Sequence, residues 1–187
     1  MSYEEFRTLI NDLLANGKVT GHDQSADLIP YTEMNNQRMN RLEKHYNVSE
    51  SLKNQLSNLK NNYTFLTITE GWCGDSAQIV PVIEKMASLS INIRSLYILR
   101  DDNPEIMSLF LTNGARSIPI TVCINDDSGE IIWKYGPRPA AGFAIVNKAK
   151  AEGKTKDQMS EELHLWYGRN RQADIEAELQ LRIEKMS

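Results

Sequence analysis

The sequence predicts an α/β protein, a mixed sheet flanked by helices, with helical extensions at both termini. Two observations predict it. Between residues 62 and 136, runs typical of strands alternate with runs typical of helices, and the last two strand runs flank a tight turn. On either side of this stretch the apolar residues recur only at helical spacing. We therefore predict three segments packed as one domain: a helical N-terminal extension over 1–61, an α/β core over 62–136 and a helical C-terminal extension over 137–187.

The N-terminal segment is predicted to contain three helices. Apolar residues recur every three or four positions over residues 3–14, which predicts the first helix. Residues 18–32 are polar, include a glycine and a proline, and predict a loop. A second helical pattern covers residues 33–46. Ser49 is placed to cap a third helix, which carries leucines on one face as far as Leu59.

The core segment is predicted to run β-α-β-α-β-β. The expected strands cover residues 63–69, 91–99, 118–124 and 130–135. One helix is expected over 76–89, and another from Pro104, behind an Asn103 cap, to Gly114. This order predicts parallel strands combined with one antiparallel hairpin. In the C-terminal segment, helices are expected over 141–151, 157–166 and 173–186, the middle one behind a capping-box spacing at Thr155.

Composition and charge exclude several classes of protein. The 187 residues are 41% apolar and 25% charged, as in a soluble globular protein. A net charge of −4 offers no basic surface, so we expect neither nucleic acid nor membrane as a partner. Acids stand where a signal peptide would need positive charge, and no apolar run has the roughly 18 residues of a membrane span, so a cytoplasmic protein is expected. Two cysteines without a histidine cluster predict no metal, and we expect no cofactor.

The stretch Trp72-Cys73-Gly74-Asp75-Ser76 joins the first predicted strand to the helix that follows it. A cysteine at this junction lies at a helix N-terminus, where free backbone N–H groups and the helix dipole favour a thiolate. Such cysteines can have pKa values of about 3.5–7.5, so we expect Cys73 to be a nucleophile. Asp75 and Glu70 would raise the pKa of the thiol, and Arg116 would offset them if it lay nearby.

The run from Trp72 to Pro81 resembles the active-site segment of thioredoxins, W-C-G-P-C followed by a helix with a proline eight positions after the first cysteine. Further along, Arg116-Ser117-Ile118-Pro119 is similar to the thioredoxin segment that contains a cis-proline. Shorter matches occur at residues 101–104 and at Gly129. The resemblance implies a thioredoxin-like fold in which Pro119 is cis and lies beside Cys73. The flanking helices resemble those of a bacterial subgroup of thioredoxin-like proteins.

The sequence departs from the thioredoxin pattern at the residues that would resolve the mixed disulfide. Ser76 replaces the resolving cysteine, and Asp75 replaces the proline between the two cysteines. Thr67 stands where thioredoxins have a buried aspartate, and Tyr97 stands where its partner lysine would be. A dithiol cycle within one chain is therefore not expected.

The resemblance also indicates which residues surround the thiol. We expect Ser76 either to donate its hydroxyl to the Cys73 thiolate or to cap the helix. The expected catalytic residues are thus Cys73 and Ser76. The expected substrate-binding residues are Trp72, Gly74, Asp75, Ile118 and Pro119.

The other cysteine and the histidines are expected outside the site. Cys123 lies four residues past Pro119, about 13 Å along a strand, whereas a disulfide needs Cα atoms within about 7 Å. It is therefore predicted to be a small core residue. The dispersed histidines are expected to be surface or capping residues: His22, His45 and His164.

The leading functional prediction is a monothiol thiol–disulfide oxidoreductase. Cys73 would form a mixed disulfide with a protein disulfide or a small thiol substrate, and an external thiol such as glutathione would release it. The alternative is a redox-inactive thioredoxin-fold binding or adaptor protein. A third possibility is a cluster-bridging monothiol glutaredoxin, whose C-G-F-S motif shares three positions with residues 73–76, although Trp72 and Pro81 favour the thioredoxin side.

Overall fold

A computed structural model of the chain describes residues 1–186. Its strands are β1 (Tyr63–Thr69), β2 (Ile93–Leu99), β3 (Ile120–Asn125) and β4 (Ile131–Tyr135). They form one sheet in the order β2-β1-β3-β4. β1 pairs parallel with β2 and antiparallel with β3, and β3 pairs antiparallel with β4. The predicted mixed sheet with one antiparallel hairpin is confirmed.

Helices flank the sheet and make up both ends of the described chain. The first three are α1 (Tyr3–Ala15), α2 (Leu28–His45) and α3 (Glu50–Ser57). The core contains α4 (Gly74–Ala87) and α5 (Pro104–Ser108). The last are α6 (Ala140–Ala151), α7 (Lys156–Asn170) and α8 (Ala173–Ile183), with a 3-10 turn at Glu184–Met186. None of the helices in residues 1–186 is long and apolar enough to cross a membrane.

Two predicted helix starts are confirmed by their caps. The Ser49 hydroxyl accepts a hydrogen bond from the Leu52 amide, and α3 begins at Glu50, directly after Ser49. At α7, Thr155 and Gln158 form the reciprocal pair of bonds of a capping box. Each such cap satisfies backbone N–H groups that have no acceptor within the helix, which stabilises the start by about 1 kcal/mol.

Two helix boundaries differ from the sequence prediction by five residues or more. Helix α2 begins at Leu28, five residues earlier than expected, and includes Pro30. A proline is tolerated there because the first-turn N–H groups have no helical acceptor. Helix α5 ends at Ser108 rather than near Gly114. Asn113 and Gly114 both have positive φ and form a tight turn between Thr112 and Ala115, which is incompatible with a continuing helix.

The sheet buries apolar side chains on both faces because successive residues of a strand point to opposite sides. Phe65 of β1 packs edge-on against Trp133 of β4 in the larger cluster, with 4.9 Å between ring centroids. Ile68 belongs to a smaller cluster on the other face with Ile120. The larger cluster joins all three predicted segments, since it contains Leu52 of α3 and Leu179 of α8 together with the strand residues.

Candidate functional site around Cys73

Cys73 is the N-cap residue of α4, at the end of the short turn that follows β1, as expected. Its Sγ accepts a hydrogen bond from the Ser76 amide at 3.5 Å and donates one to the Ile118 carbonyl at 3.3 Å. The Ile118–Pro119 peptide bond is cis. Because β1 and β3 are antiparallel neighbours, the chain entering β3 lies beside the chain leaving β1. The expected juxtaposition of Cys73 with a cis Pro119 is therefore confirmed.

The expected lowering of the thiol pKa is wrong for this structure. Burial raises the pKa of Cys73 to about 11, and the neighbouring Asp75 carboxylate adds to that rise. Hydrogen bonding by Ser76 and by the Asp75 amide acts in the opposite direction but does not compensate. Desolvation of the charged form therefore outweighs the stabilisation available at the helix N-terminus.

Arg116 and Glu70, the two other charged residues expected to affect the thiol pKa, interact with Asp101 instead. Arg116 is exposed, and its charge contributes to the low pKa of Asp101. The buried Glu70 carboxylate accepts a hydrogen bond from the Asp101 amide at 3.1 Å. Both residues thus belong to the surroundings of Asp101.

Ser76 is almost fully buried, with 1% of its surface exposed. Its amide donates a hydrogen bond to the Cys73 thiol. Its hydroxyl makes no well-formed hydrogen bond to the residues that the structure describes. The cap of α4 is therefore Cys73 itself, and Ser76 lies in the first turn. Ser76 is close enough to affect the pKa of the thiol, but it carries no second sulfur.

Asp75 was expected to bind substrate, but the structure places it as a buried anchor. One of its oxygens accepts from Arg138 at 2.6 Å and the other accepts from the Tyr167 hydroxyl at 2.7 Å. Burial raises the pKa of Asp75, and both partners counteract that rise. Asp75 therefore ties the active-site turn to α7 and to the segment before α6, and each of its oxygens already accepts one hydrogen bond within the protein.

His164 of α7 lies against Gly74, contrary to its predicted role as a surface or capping residue. A Cβ atom added at Gly74 would lie 2.5 Å from the His164 Nε2 atom, so any larger residue here would force the His164 ring to move. Burial, together with the charges of Arg38 and Arg138, lowers the pKa of His164 to about 4. The imidazole beside the thiol is therefore neutral at pH 7.

A hydrogen-bonded chain connects His164 to α2 and to the active-site turn. Arg38 donates through the same terminal nitrogen to His164 Nε2 at 3.2 Å and to Asn35 Oδ1 at 2.8 Å. Asn35 in turn donates to the Gly71 carbonyl. Because a guanidinium only donates, Nε2 of His164 is the acceptor and the ring proton is on Nδ1. Asn35, Arg38 and His164 were missed from the sequence because no motif links α2 and α7 to the cysteine.

Trp72 is half-buried on the other side of the thiol. Its indole N–H donates to the Thr20 carbonyl at 3.1 Å, and the Arg100 guanidinium lies 4.6 Å from the ring centre. The loop before α2 and the end of β2 thus hold the indole in place. The expected substrate-binding residues Ile118 and Pro119 are buried, and what Ile118 offers to the thiol is its backbone carbonyl.

A cavity of about 380 Å³ lies beside Cys73, between α2, α7 and the active-site turn. Trp72 and Gly74 line it with the cysteine, and Arg38 and His164 line it from the helical extensions. At its exposed edge Tyr31 of α2 donates to Asp157 of α7. A larger cleft of about 830 Å³ lies between α2 and α8 but contains none of the predicted site residues.

The positions that hold a charged pair in thioredoxins are neutral here and are satisfied by other partners. The Thr67 and Thr121 hydroxyls lie 2.8 Å apart, and the Tyr97 hydroxyl donates to Glu84 at 2.8 Å. Cys123 lies in the core opposite Phe65, as predicted, and burial raises the pKa of its thiol to about 12. Within residues 1–186, no three His, Cys, Asp or Glu side chains are close enough to share a metal ion.

Comparison with solved structures shows the fold. A protein of unknown function from Pseudomonas aeruginosa aligns over 100% of this chain and 99% of its own, with 16% identity and a TM-score of 0.59. An HIV epitope-scaffold aligns over 98% of each chain, with 16% identity and a TM-score of 0.56. At this level of identity the likeness concerns the architecture alone.

Comparison with curated proteins gave no match. A thioredoxin family model, in contrast, matches residues 21–152. That range begins before α2, contains the whole sheet and extends through α6. The match therefore includes both the cysteine turn and part of each helical extension. On this basis, the chain belongs to the thioredoxin family.

Proposed function

We propose that the protein carries out thiol–disulfide exchange with a single thiol, that of Cys73. The observation that carries the proposal is the position of this sulfur. It caps α4, faces the carbonyl that precedes the cis Pro119, and lies in the wall of the 380 Å³ cavity. These features give a substrate sulfur access to the thiol from one side.

The proposed reaction has two exchanges. The Cys73 thiolate attacks one sulfur of a disulfide, a new S–S bond forms, and the other half leaves as a thiolate that takes up a proton. An external thiol, as its thiolate, then attacks the mixed disulfide and restores the Cys73 thiolate. Electrons balance because one substrate disulfide and one external thiol yield one new mixed disulfide and one released thiol, and Cys73 returns to its starting thiolate.

The raised pKa makes the proposed reaction slow at neutral pH. With a pKa of about 11, about one thiol in ten thousand is ionised at pH 7. A thiolate of high pKa is intrinsically more nucleophilic, with a Brønsted coefficient of about 0.4–0.5, so part of this loss is recovered. We therefore expect the rate to rise steeply with pH.

The surroundings of the thiol favour a small substrate. Helices α2 and α7 lie over the active-site turn, and His164 is in close contact with Gly74 next to the cysteine. A cavity of about 380 Å³ suits a ligand of small-molecule size.

The test is turnover of bis(2-hydroxyethyl) disulfide in the presence of a small thiol. We expect Cys73→Ser to abolish turnover and Cys123→Ser to retain it, because Cys123 is a core residue. Ser76→Cys adds a sulfur in the first turn of α4, so we expect it to release the mixed disulfide without external thiol. Equal turnover by the Cys73→Ser and native proteins would refute the proposal.

A second candidate function is a redox-inactive binding module, favoured by the raised pKa of Cys73. In that case the helices around the thiol would form a binding site and the sulfur would be a packing group. Such a protein would keep its ligand and its cellular effect after Cys73→Ser. Loss of both in a folded Cys73→Ser protein would exclude this alternative.

A further inference from the structure

The charges around the cavity beside Cys73 are distributed unevenly. Three carboxylates line it from exposed positions: Asp23, Asp27 and Asp157. Of the cations, Arg100 is paired with Asp101 at 2.8 Å, and Lys156 is exposed. Arg38 differs from both, because it is half-buried and, among residues 1–186, no carboxylate lies within salt-bridge distance of it.

The Arg38 guanidinium is held in place by neutral groups alone. One terminal nitrogen makes both of its hydrogen bonds, to the Asn35 amide oxygen and to the neutral His164 ring. The other two nitrogens make no hydrogen bond to the described residues. A half-buried cation is partly desolvated, and its two remaining nitrogens are open to the cavity, so this fixed guanidinium is suited to an anion that arrives from outside.

The guanidinium is also close to the reactive position. A Cβ atom at Gly74, the residue after the cysteine, would lie 3.8 Å from the Arg38 terminal nitrogen. Burial is the main cause of the lowered pKa of His164, and the charges of Arg38 and Arg138 add to it. A ligand that reaches Cys73 therefore passes beside a fixed positive charge with free donors.

We propose that Arg38 binds a carboxylate of the small molecule that enters the Cys73 cavity. The identity of this molecule as a substrate rests on the proposed function. If Cys73 exchanges disulfides, its substrate is a low-molecular-weight disulfide or thiol that carries a carboxylate a few bonds from sulfur. Two parallel N–H···O bonds from the guanidinium to the carboxylate would orient the sulfur toward Cys73.

The first arm of the test compares alkylation of Cys73 by iodoacetate with alkylation by iodoacetamide, on a Cys123→Ser background. The reagents differ in charge and react with the same thiolate, so their rate ratio is independent of the thiol pKa. We expect the ratio, relative to that of a free thiol, to fall about fivefold in Arg38→Gln. Arg38→Lys should keep most of the preference, and Arg41→Gln, which removes an exposed charge from the same helix, should keep all of it.

The second arm measures exchange of Cys73 with 3,3′-dithiodipropionate and with bis(2-hydroxyethyl) disulfide. A preference for the anionic disulfide that disappears in Arg38→Gln supports the inference. An unchanged iodoacetate ratio in Arg38→Gln, or an equal loss in Arg41→Gln, would overturn it, even if exchange with the neutral disulfide persisted. No reaction of Cys73 with either alkylating reagent at alkaline pH would also overturn it. An Arg38-dependent alkylation ratio without any exchange would instead support the anion site and reject the proposed chemistry.

Discussion

At the scale of single residues, the thiol of Cys73 is governed by two opposing effects. The α4 N-terminus offers an amide hydrogen bond, while burial and Asp75 disfavour the thiolate. Burial prevails, and the pKa of the thiol rises to about 11. The reactivity of this cysteine is therefore set by its immediate neighbours, which substitution can change one at a time.

Asp75→Asn should lower the pKa of Cys73, because it removes the negative charge nearest the thiol and leaves the Arg138 charge uncompensated. We expect faster alkylation at pH 8 and a loss of about 2 kcal/mol in the free energy of unfolding from the broken charged hydrogen bonds. The measurement is the alkylation rate of Cys73 against pH. Asp157→Asn, an exposed carboxylate of the same cavity, is the control, and an unchanged midpoint in Asp75→Asn would contradict the assignment.

His164 should make the protein less stable in acid. Its pKa is about 4 in the folded state and about 6.5 in an unfolded chain. For a group with a depressed pKa, the stabilisation is present above pH 6.5 and is lost as the pH falls toward 4. We expect His164→Gln to reduce the loss of unfolding free energy between pH 7 and pH 4.5 by about 1–2 kcal/mol. The control is His45→Gln, at an exposed histidine, which should leave this loss of unfolding free energy unchanged. Equal behaviour of the two variants would refute the prediction.

At the scale of elements, the site depends on a close junction between α4 and α7. Gly74 meets His164 there, and Asp75 meets Tyr167 one residue further on. The two contacts hold a C-terminal helix against the turn that carries the thiol. Packing at this junction should consequently be sensitive to single atoms.

Gly74→Ala should destabilise the protein by about 1–3 kcal/mol, because its Cβ would displace the His164 ring. In a His164→Ala background the same change should cost about 1 kcal/mol less, since the ring is absent. Denaturant unfolding of the two single variants and the double variant measures the coupling. Simple additivity would show that the two residues do not touch.

Gly136→Ala should be more damaging than Gly74→Ala. Its Cβ would lie 2.1 Å from the Pro119 carbonyl oxygen, which is backbone and cannot turn away, and its φ of +110° disfavours any other residue. We expect a loss of about 2–4 kcal/mol in the free energy of unfolding. Gly168→Ala, at an exposed helical glycine with open space around it, is the matched control.

The features that depend on local sequence are predictable, and those that depend on tertiary packing are not. The strands, most helices and the approach of Pro119 to Cys73 follow from periodicity, caps and an ordered set of thioredoxin-like matches. Arg38 and His164 do not, because their place at the site depends on the tertiary packing of two distant helices on α4. The raised pKa of Cys73 was missed for the same reason, since burial is a property of the assembled fold.

At the scale of the whole molecule, the helical extensions form part of the fold that holds the site. The larger apolar cluster includes side chains from all three segments predicted from sequence, and α1 stacks Phe6 on Tyr97 of β2. The extensions also supply Arg38 and His164 to the cavity. We propose that residues 1–61, 62–136 and 137–187 fold as one cooperative unit.

Thermal unfolding should accordingly show a single transition, with the calorimetric and van't Hoff enthalpies equal. A chain ending at Gly136 loses Leu163, Tyr167, Leu179 and Ile183 from the larger cluster, so we expect it not to fold cooperatively. Two separated transitions in the full chain, or a stable fold in the shortened one, would contradict this proposal.

The proposed function requires Cys73 to exchange disulfides through one sulfur. Its most direct test is intact-mass analysis of the full chain after incubation with bis(2-hydroxyethyl) disulfide across pH 7 to 10. We expect one adduct of one half-disulfide per chain, located on Cys73, formed faster as the pH rises and removed by a small thiol. No adduct at any pH, or an adduct that persists in Cys73→Ser, would contradict it.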